Sequence, residues 1–215
     1  MMKKLCEEID YSFSEMIKFL VLEELPDSRS VGGKIEYYVK QNWERFCETW
    51  VVTPQEEPGK RSLYDISFLK EDIIYGIDIK TKDNGDKKYS DGGIGGVKNL
   101  LEFYTKKKGI FLITEFGYKE VGRNYDFSYV KTAPFHCLPA EIYRIENLGT
   151  GQIRFNTSIK NIYDNIEWDR SVNEFLGYFA DLATRHYEKV LSDTQRRIDS
   201  MNDFKESDFE ELKLK

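Results

Sequence analysis

Two short segments in the first half of the chain alternate between apolar and polar residues, and only a few residues separate them. The first runs from Leu63 to Leu69, and the second runs from Ile73 to Thr81. Strict alternation is typical of half-buried β-strands, and a short connection between two such strands predicts an antiparallel hairpin. This hairpin constrains the fold strongly because its register decides which side chains share a face of a sheet.

The expected register brings two aspartates opposite each other. If the chain reverses at positions 71 and 72, counting back along both strands places Asp65 directly across from Asp78. Directly opposed Cβ atoms lie about 5 Å apart, so two carboxylates there would repel unless a divalent cation bound between them. Lys80 shares a face with Asp78 and could hold a water or offset charge on a phosphate. The pattern favours a metal-dependent phosphodiesterase site, although a solvated strand can also carry Asp-x-Lys.

The composition indicates a folded protein in a reducing compartment. The 215 residues are enough for one domain with a proper core, and 40% of them are apolar. The three cysteines are scattered, which suits the cytoplasm better than a disulfide framework. We expect no membrane span, because no apolar run approaches ~20 residues, and we see no signal-peptide layout. The expected location is therefore cytoplasmic.

The charge distribution is compatible with selective binding to DNA. The net charge of −6 argues mildly against indiscriminate binding to nucleic acid. Residues 80–108, however, hold eight lysines against four acids, which would allow a locally positive groove. The only two histidines, His136 and His186, are far apart in sequence, so a zinc site is poorly supported.

The spacing of apolar residues predicts a mixed arrangement of helices and strands. An apolar run at 110–116 follows a helical segment, and this strand–helix–strand order predicts a crossover that makes the run parallel to the second hairpin strand. We expect an α/β (α+β) fold, a central mixed β-sheet flanked by helices. The predicted helices cover residues 5–25, 31–50 and 97–108, and further strands are predicted at 129–132, 137–145 and within 149–156.

We expect one domain over residues 1–201 and an acidic polar tail over 202–215. The N-terminal helix, within residues 1–28, is a candidate dimerisation element. A capping box from Ser171 to Glu174 predicts the start of a long C-terminal helix.

Glu36 lies off the apolar stripe of its predicted helix and shares a face with Gly32. A glycine one turn from a glutamate allows another stretch of backbone to approach closely. A plain solvated glutamate is the alternative.

A second polar pattern follows the turn at 149–151. Gln152, Arg154 and Asn156 alternate with apolar residues and therefore share one face of a short strand. Amide side chains pair with adenine and arginine pairs with guanine, so this face could read base edges. A hydrated edge strand explains the pattern equally well.

These segments, taken in order, resemble the PD-(D/E)xK nuclease superfamily and, more narrowly, its orthodox type II restriction endonucleases of the blunt-cutting branch. The resemblance spans about residues 29–200, and Tyr64 stands where the proline that names the motif would be. The segments that carry it are Tyr64–Phe68, Tyr75–Thr81, Ser30–Val39, Gly149–Asn156 and the helix start led by Trp168.

The resemblance implies a restriction-endonuclease-like core and a role for each matching residue. Asp65 and Asp78 would be the metal carboxylates, and Ile79 would lend its backbone carbonyl to a metal. Lys80 would be the catalytic lysine, and Glu36 matches an additional acid near the metals. The implied DNA-recognition residues are Thr150, Gly151, Gln152, Arg154 and Asn156.

The same resemblance implies an activity and partners. Such enzymes hydrolyse double-stranded DNA at a short palindrome with Mg²⁺, for which Mn²⁺ can substitute. They act as homodimers, and a companion DNA methyltransferase is expected in the cell.

Two other functions remain open at this stage. One is a structure-specific resolvase or repair nuclease of the same superfamily. The other is a non-catalytic DNA-binding or assembly protein in which Asp65 and Asp78 are solvated surface groups.

Overall fold

The computed structural model describes residues 1–20, 31–55, 62–85, 93–121, 124–146 and 151–206. The chain divides into two compact units, residues 1–176 and 177–215. The helices are α1 (Met2–Ile17), α2 (Val31–Asn42), α3 (Val97–Thr105), α4 (Ile159–Ile162) and α5 (Val172–Glu206). The strands are β1 (Thr53–Pro54), β2 (Ile66–Lys70), β3 (Ile73–Asp83), β4 (Gly95–Gly96), β5 (Ile110–Val121), β6 (Asn124–Pro134), β7 (Tyr143–Glu146) and β8 (Gln152–Phe155).

The main sheet has five strands in the order β1-β2-β3-β5-β6. Strands β3 and β5 are parallel, and the other neighbouring pairs are antiparallel. Helix α3 lies on the crossover between the two parallel strands, as the spacing predicts. The expected fold class, a mixed sheet flanked by helices, is confirmed.

The hairpin has the predicted register. Lys70 pairs with Ile73, and Glu71 and Asp72 form the reversal with φ angles of 49° and 62°. Two successive residues with positive φ give the turn twist that suits the right-handed twist of the strands. The register of β2 against β3 is therefore fixed by a two-residue turn.

Three short strands form a second sheet in the order β4-β8-β7. Gly95 and Gly96 in β4 pair with Ile153 and Gln152 in β8. These two glycines therefore contribute an edge strand directly before α3.

Helix α1 covers one face of the main sheet through an aromatic core. Phe13 stacks on Phe116 at 5.9 Å between ring centroids and contacts Trp50 at 5.4 Å. The indole nitrogen of Trp50 donates to Ser12 Oγ at 2.9 Å, so its one polar atom is satisfied inside the core. Burial of these rings fixes α1 against the sheet and leaves the opposite face to other elements.

The opposite face packs against α3 and the second sheet. Phe111 on β5 contacts Phe103 of α3 at 6.2 Å and Phe135 at 5.9 Å. Phe135 also stacks with Phe155 of β8 at 6.4 Å. Asp78 and Lys80 point toward this side, because they alternate with the buried core isoleucines of β3.

Several helix ends differ from the predictions. Helix α1 ends at Ile17 rather than at residue 25, and residues 21–30 lie outside the described ranges. Helix α2 ends at Asn42 rather than at Trp50, because the chain tightens into 3₁₀ turns at 43–46 and 48–50. The Asn42 side chain donates to Tyr38 O at 2.8 Å, a bond that competes with continuation of the helix.

The strands outside the hairpin are partly as predicted. Residues 129–132 lie within the longer β6, but the strand predicted at 137–145 is wrong over most of its length. Short helical turns occupy 135–137 and 140–142, and the strand begins only at Tyr143. Pro139 lacks a backbone N–H and therefore interrupts a strand ladder at this point.

The start of the C-terminal helix is confirmed. Ser171 and Glu174 form the predicted capping box, in which Glu174 accepts from the backbone N–H of Ser171 at 2.8 Å and Ser171 Oγ accepts from the N–H of Glu174 at 3.2 Å. No helix within the described ranges has the length and hydropathy needed to cross a bilayer.

A buried carboxylate joins α1 to β6. Asp10 is hydrogen-bonded to Thr132, and its Oδ2 lies 3.9 Å from the ammonium of Lys131. Burial raises the pKa of Asp10 from 3.8 to about 7, although Thr132 and Lys131 oppose the shift. Between these pH values the folded protein holds a proton that the unfolded chain releases.

We predict that Asp10→Asn removes a pH-dependent loss of stability. The wild-type free energy of unfolding should fall relative to that of the variant as pH rises from about 4 to about 7, because the folded-state pKa is raised. The difference should reach about 4 kcal/mol, at 1.36 kcal/mol per pKa unit. Urea denaturation at both pH values measures it. Equal pH profiles for the two proteins would contradict the prediction.

Candidate active site

The two aspartates of the hairpin lie close together at its open end. The paired register of β2 with β3 ends at Ile66, which pairs with Ile77, so Asp65 is the first residue beyond the ladder. The backbone N–H of Asp65 donates to Ile77 O at 2.8 Å, so the predicted direct pairing of Asp65 with Asp78 is not part of the regular ladder. The carboxylate of Asp65 accepts the N–H of Ile79 at 2.8 Å through Oδ2. This bond turns the side chain of Asp65 onto the backbone of β3, beside Asp78.

Asp78 and Lys80 form a buried ion pair on β3. Lys80 Nζ lies 2.8 Å from Asp78 Oδ2, and both side chains are largely shielded from solvent. Among the described residues, the Lys80 ammonium is the partner of Asp78 Oδ2, and no other hydrogen bond to this oxygen is present.

The pKa of Asp78 is raised to about 7. Burial contributes most to this shift, the positive charge of Lys80 opposes it, and the negative charges of Asp65 and Glu36 add to it. Burial alone would lower the pKa of Lys80, but Asp78, Asp65 and Glu36 outweigh it, and the net direction is upward. These couplings show that three acids and one lysine share one electrostatic environment.

Lys40 of α2 is a second lysine in this site, and the sequence reasoning gave it no role. It contacts two acids from different parts of the chain, Glu36 and Asp65. Lys40 Nζ lies 2.7 Å from Glu36 Oε1 and 2.9 Å from Asp65 Oδ1. These two acids raise the pKa of Lys40, although burial, the largest single contribution, opposes them. The spacing of Glu36 and Lys40 on one helix face is visible in the sequence, but the contact with Asp65 depends on how α2 meets the hairpin.

Gly32 allows α2 to approach β3. A Cβ at this position would lie 2.6 Å from Thr81 Oγ1, well inside van der Waals contact. The expected close approach one turn before Glu36 is thus present, and its neighbour is the Thr81 side chain. The approach brings Glu36 and Lys40 to the open end of the hairpin.

The donor set of this site suits Mg²⁺. Within the described ranges, no group of three or more His, Cys, Asp or Glu side chains is arranged to hold a metal. Mg²⁺ needs fewer protein ligands, because it keeps several waters and binds through one or two carboxylates. Asp65, Asp78 and the carbonyl of Ile79 would provide such a set, and the position of the Asp65 carboxylate on the backbone of β3 beside Asp78 fits this assignment.

The candidate recognition strand presents its polar side chains on one face, as predicted. Residues of β8 alternate between half-buried and buried, and Gly151 precedes it with a φ of 89°. Gln152 lies over Gly93, where a Cβ would come within 2.2 Å of its Nε2. Thr150 lies outside the described ranges.

Arg154 and Asn156 are held by residues of β7 and the turn before it. Arg154 Nε lies 2.9 Å from Glu146 Oε2. Asn156 accepts from Arg144 through Oδ1 at 2.7 Å and donates through Nδ2 to Glu141 O at 3.0 Å. Both ends of the Asn156 amide are therefore already engaged.

Arg144 is a further residue that the sequence reasoning missed. It lies directly across from Arg154, and its guanidinium contacts Glu146, Asn156 and the carbonyl of Phe155. Only the pairing of β7 with β8 brings these groups together, and the sequence predicts no register for that pair. Arg144 therefore orients the polar face of β8.

The second sheet packs on the residues just before the hairpin. A Cβ on Gly95 of β4 would lie 2.6 Å from Leu63 Cδ1, so the Leu63 side chain lies directly against β4. The backbone N–H of Ile94 donates to Ile153 O of β8 at 2.9 Å. The polar strand β8 is thus joined to the segment that leads into Asp65.

Comparisons with known proteins identify no relative. No protein-family model matches the chain, and no curated protein matches it.

We predict that Gly32→Ala and Thr81→Ala are non-additive. The single glycine substitution should destabilise or leave stability unchanged, because the gain in helix propensity of up to ~1 kcal/mol is offset by the contact with Thr81 Oγ1. In the Thr81→Ala background the same change should stabilise, because that oxygen is gone. A double-mutant cycle from denaturant unfolding measures the coupling. Additive effects would show that α2 does not approach β3 this closely.

Proposed function

We propose that this chain is a Mg²⁺-dependent, type II site-specific endonuclease that hydrolyses phosphodiester bonds of double-stranded DNA. The observation that carries the proposal is the closeness of the two acids. Asp65 accepts the N–H of Ile79, the residue next to Asp78, and Lys80 lies 2.8 Å from Asp78. An acid pair beside an ammonium is what metal-assisted phosphodiester hydrolysis requires.

Each residue of the site has a proposed role. Asp65 and Asp78, with the carbonyl of Ile79, would hold the Mg²⁺, and Mn²⁺ could take the same place. When bound, the ion would polarise the phosphoryl group and activate a water for in-line attack. Lys80 would donate to an oxygen of the reacting phosphate, where negative charge develops. Glu36, at the edge of the site, would adjust the local charge.

A bound ion would also offset the electrostatic cost of placing two carboxylates close together. Two opposed carboxylates repel, and the charged form of Asp78 is disfavoured by burial. A divalent cation favours the charged form of both acids. Relief of the repulsion between the two carboxylates would therefore contribute to metal affinity. This coupling explains why a protein would maintain such an arrangement.

Selection of the DNA sequence would come from the polar face of β8. Gln152 and Arg154 are half-buried on that face, Gly151 shapes the turn before it, and Asn156 follows its end. Thr150 belongs to the same proposed set by sequence position. A short palindromic site, a homodimer, a companion methyltransferase and a cytoplasmic location are parts of the same proposal.

A non-catalytic DNA-binding protein is the second candidate. It is favoured by one observation, because Lys40 and Lys80 already contact Asp65 and Asp78 and neutralise much of their charge. Calorimetric titration with Mg²⁺ or Mn²⁺, followed by a nuclease assay with and without chelator, separates the two candidates. Absence of both metal binding and cleavage would favour the second.

We predict that Asp78→Ala abolishes DNA cleavage and leaves specific DNA binding measurable, because the side chain would hold the metal and does not lie on β8. A plasmid digestion assay and a gel-shift assay measure the two properties. Asp126→Ala, at an exposed position on β6, serves as the matched control and should cut like wild type. Cleavage at the wild-type rate by Asp78→Ala would remove the proposal.

We predict a ranked effect at the two other charged positions. Lys80→Ala should lower the cleavage rate by roughly 10²–10³-fold, as expected for loss of a group that stabilises developing charge. Glu36→Ala should lower it by only about tenfold, as for a residue outside the metal ligands. Single-turnover rates at saturating Mg²⁺ measure both. Equal losses at Asp78, Lys80 and Glu36 would contradict the ranking.

Digestion of a sequenced plasmid with Mg²⁺, followed by mapping of the fragment ends, tests activity, specificity and cut geometry together. Fragments with a common short palindrome at their ends are expected. Cutting of branched junctions, without a defined sequence in linear duplex, would favour a resolvase or repair nuclease instead.

A further inference from the structure

Both carboxylate oxygens of Asp65 have a partner, and the two partners are different kinds of hydrogen-bond donor. Oδ2 accepts the backbone N–H of Ile79 at 2.8 Å, and Oδ1 contacts the ammonium of Lys40 at 2.9 Å. The N–H belongs to a paired strand of the main sheet and cannot move independently. The ammonium sits on a flexible four-carbon stem and can move.

The Lys40 contact is more than a helix-surface ion pair. Its spacing from Glu36 on α2 would give an i,i+4 pair in any case, and exposed pairs of this type contribute only about 0.3–0.5 kcal/mol. Asp65, however, lies outside α2, and its side chain is only 17% exposed. One ammonium thus bridges two acids from separate elements, as a metal ion would.

We propose that Lys40 is the internal counter-ion of this site, which a divalent cation must displace from Asp65 and which then contacts the DNA backbone. The inference rests on the proposed function, because it assumes that Asp65 is a metal ligand. A cation that binds Asp65 through Oδ1 takes the position that Lys40 Nζ now holds.

The Lys40 ammonium also has a second partner and is accessible to solvent. In the structure its Nζ lies 2.7 Å from Glu36 Oε1, and the Lys40 side chain is 31% exposed. With the charge of Asp65 satisfied by the metal, this ammonium would be able to contact a phosphate of bound DNA. Contacts of this kind make DNA affinity depend on salt, with a slope change of about one for each lysine.

The proposal predicts that one variant binds Ca²⁺ more tightly than wild type but binds DNA more weakly. Lys40→Met should bind Ca²⁺ roughly tenfold more tightly than wild type, because no ammonium competes for Asp65. In the presence of Ca²⁺ the same variant should bind DNA more weakly, with the slope of log affinity against log salt reduced by about one. Isothermal calorimetry with Ca²⁺ alone and fluorescence anisotropy with labelled duplex measure the two effects.

Two control variants separate this role from general effects of charge and structure. Lys4→Met removes the ammonium of another i,i+4 pair, with Glu8 on α1 at 3.8 Å, and should leave both affinities as in wild type. Lys40→Arg keeps the positive charge and should bind Ca²⁺ no more tightly than wild type. Circular dichroism checks that each variant is folded.

The outcomes also separate this inference from the proposed function. If wild type binds Ca²⁺ and cuts DNA, but Lys40→Met binds Ca²⁺ equally or less tightly, the counter-ion role is overturned and the nuclease assignment stands. Unchanged DNA affinity in the variant would overturn the phosphate contact. If neither protein binds a divalent ion, the metal site fails and both proposals fall.

Discussion

The register of β2 against β3 is the constraint on which the candidate site depends. The two-residue turn at Glu71 and Asp72 sets it, and a shift by one residue would move Asp65 to the α1 face of the sheet. The buried isoleucines that alternate with Asp78 resist such a shift, because they would lose their place in the core. Hydrophobic burial on one face of the sheet therefore maintains an unfavourable pair of carboxylates on the other.

The charges of the site are balanced in pairs. Lys80 neutralises Asp78 from within the same strand, whereas Lys40 reaches Asp65 from a separate helix. Asp78 and Lys80 belong to the same strand and are shielded from solvent, so their pairing does not depend on how the helices are placed. The second pair depends on the close approach of α2 to β3, where Gly32 faces the side chain of Thr81. A change in the position of α2 would therefore break the second pair before the first.

Local patterns in the sequence predict what depends on local geometry. Alternation and a short turn are enough to predict the pairing of β2 with β3 up to Ile66, just before Asp65, and the crossover rule predicts that β3 and β5 are parallel. The contact of Lys40 with Asp65 was missed because apolar periodicity gives a helix face but no docking angle. The end of α2 at Asn42 was missed because the helical pattern of the sequence continues beyond it. The Asn42 side chain donates a hydrogen bond to Tyr38 O, and this bond competes with a longer helix.

The two proposed parts of the function, recognition and hydrolysis, share a direct structural connection. The pairing of β4 with β8 and the packing of Leu63 against Gly95 join the polar strand to the residues that precede Asp65. Leu63 is buried, so its contact with β4 is part of the packed core rather than a surface loop. A ligand bound to the polar face of β8 would therefore act on a sheet that packs against the segment just before Asp65.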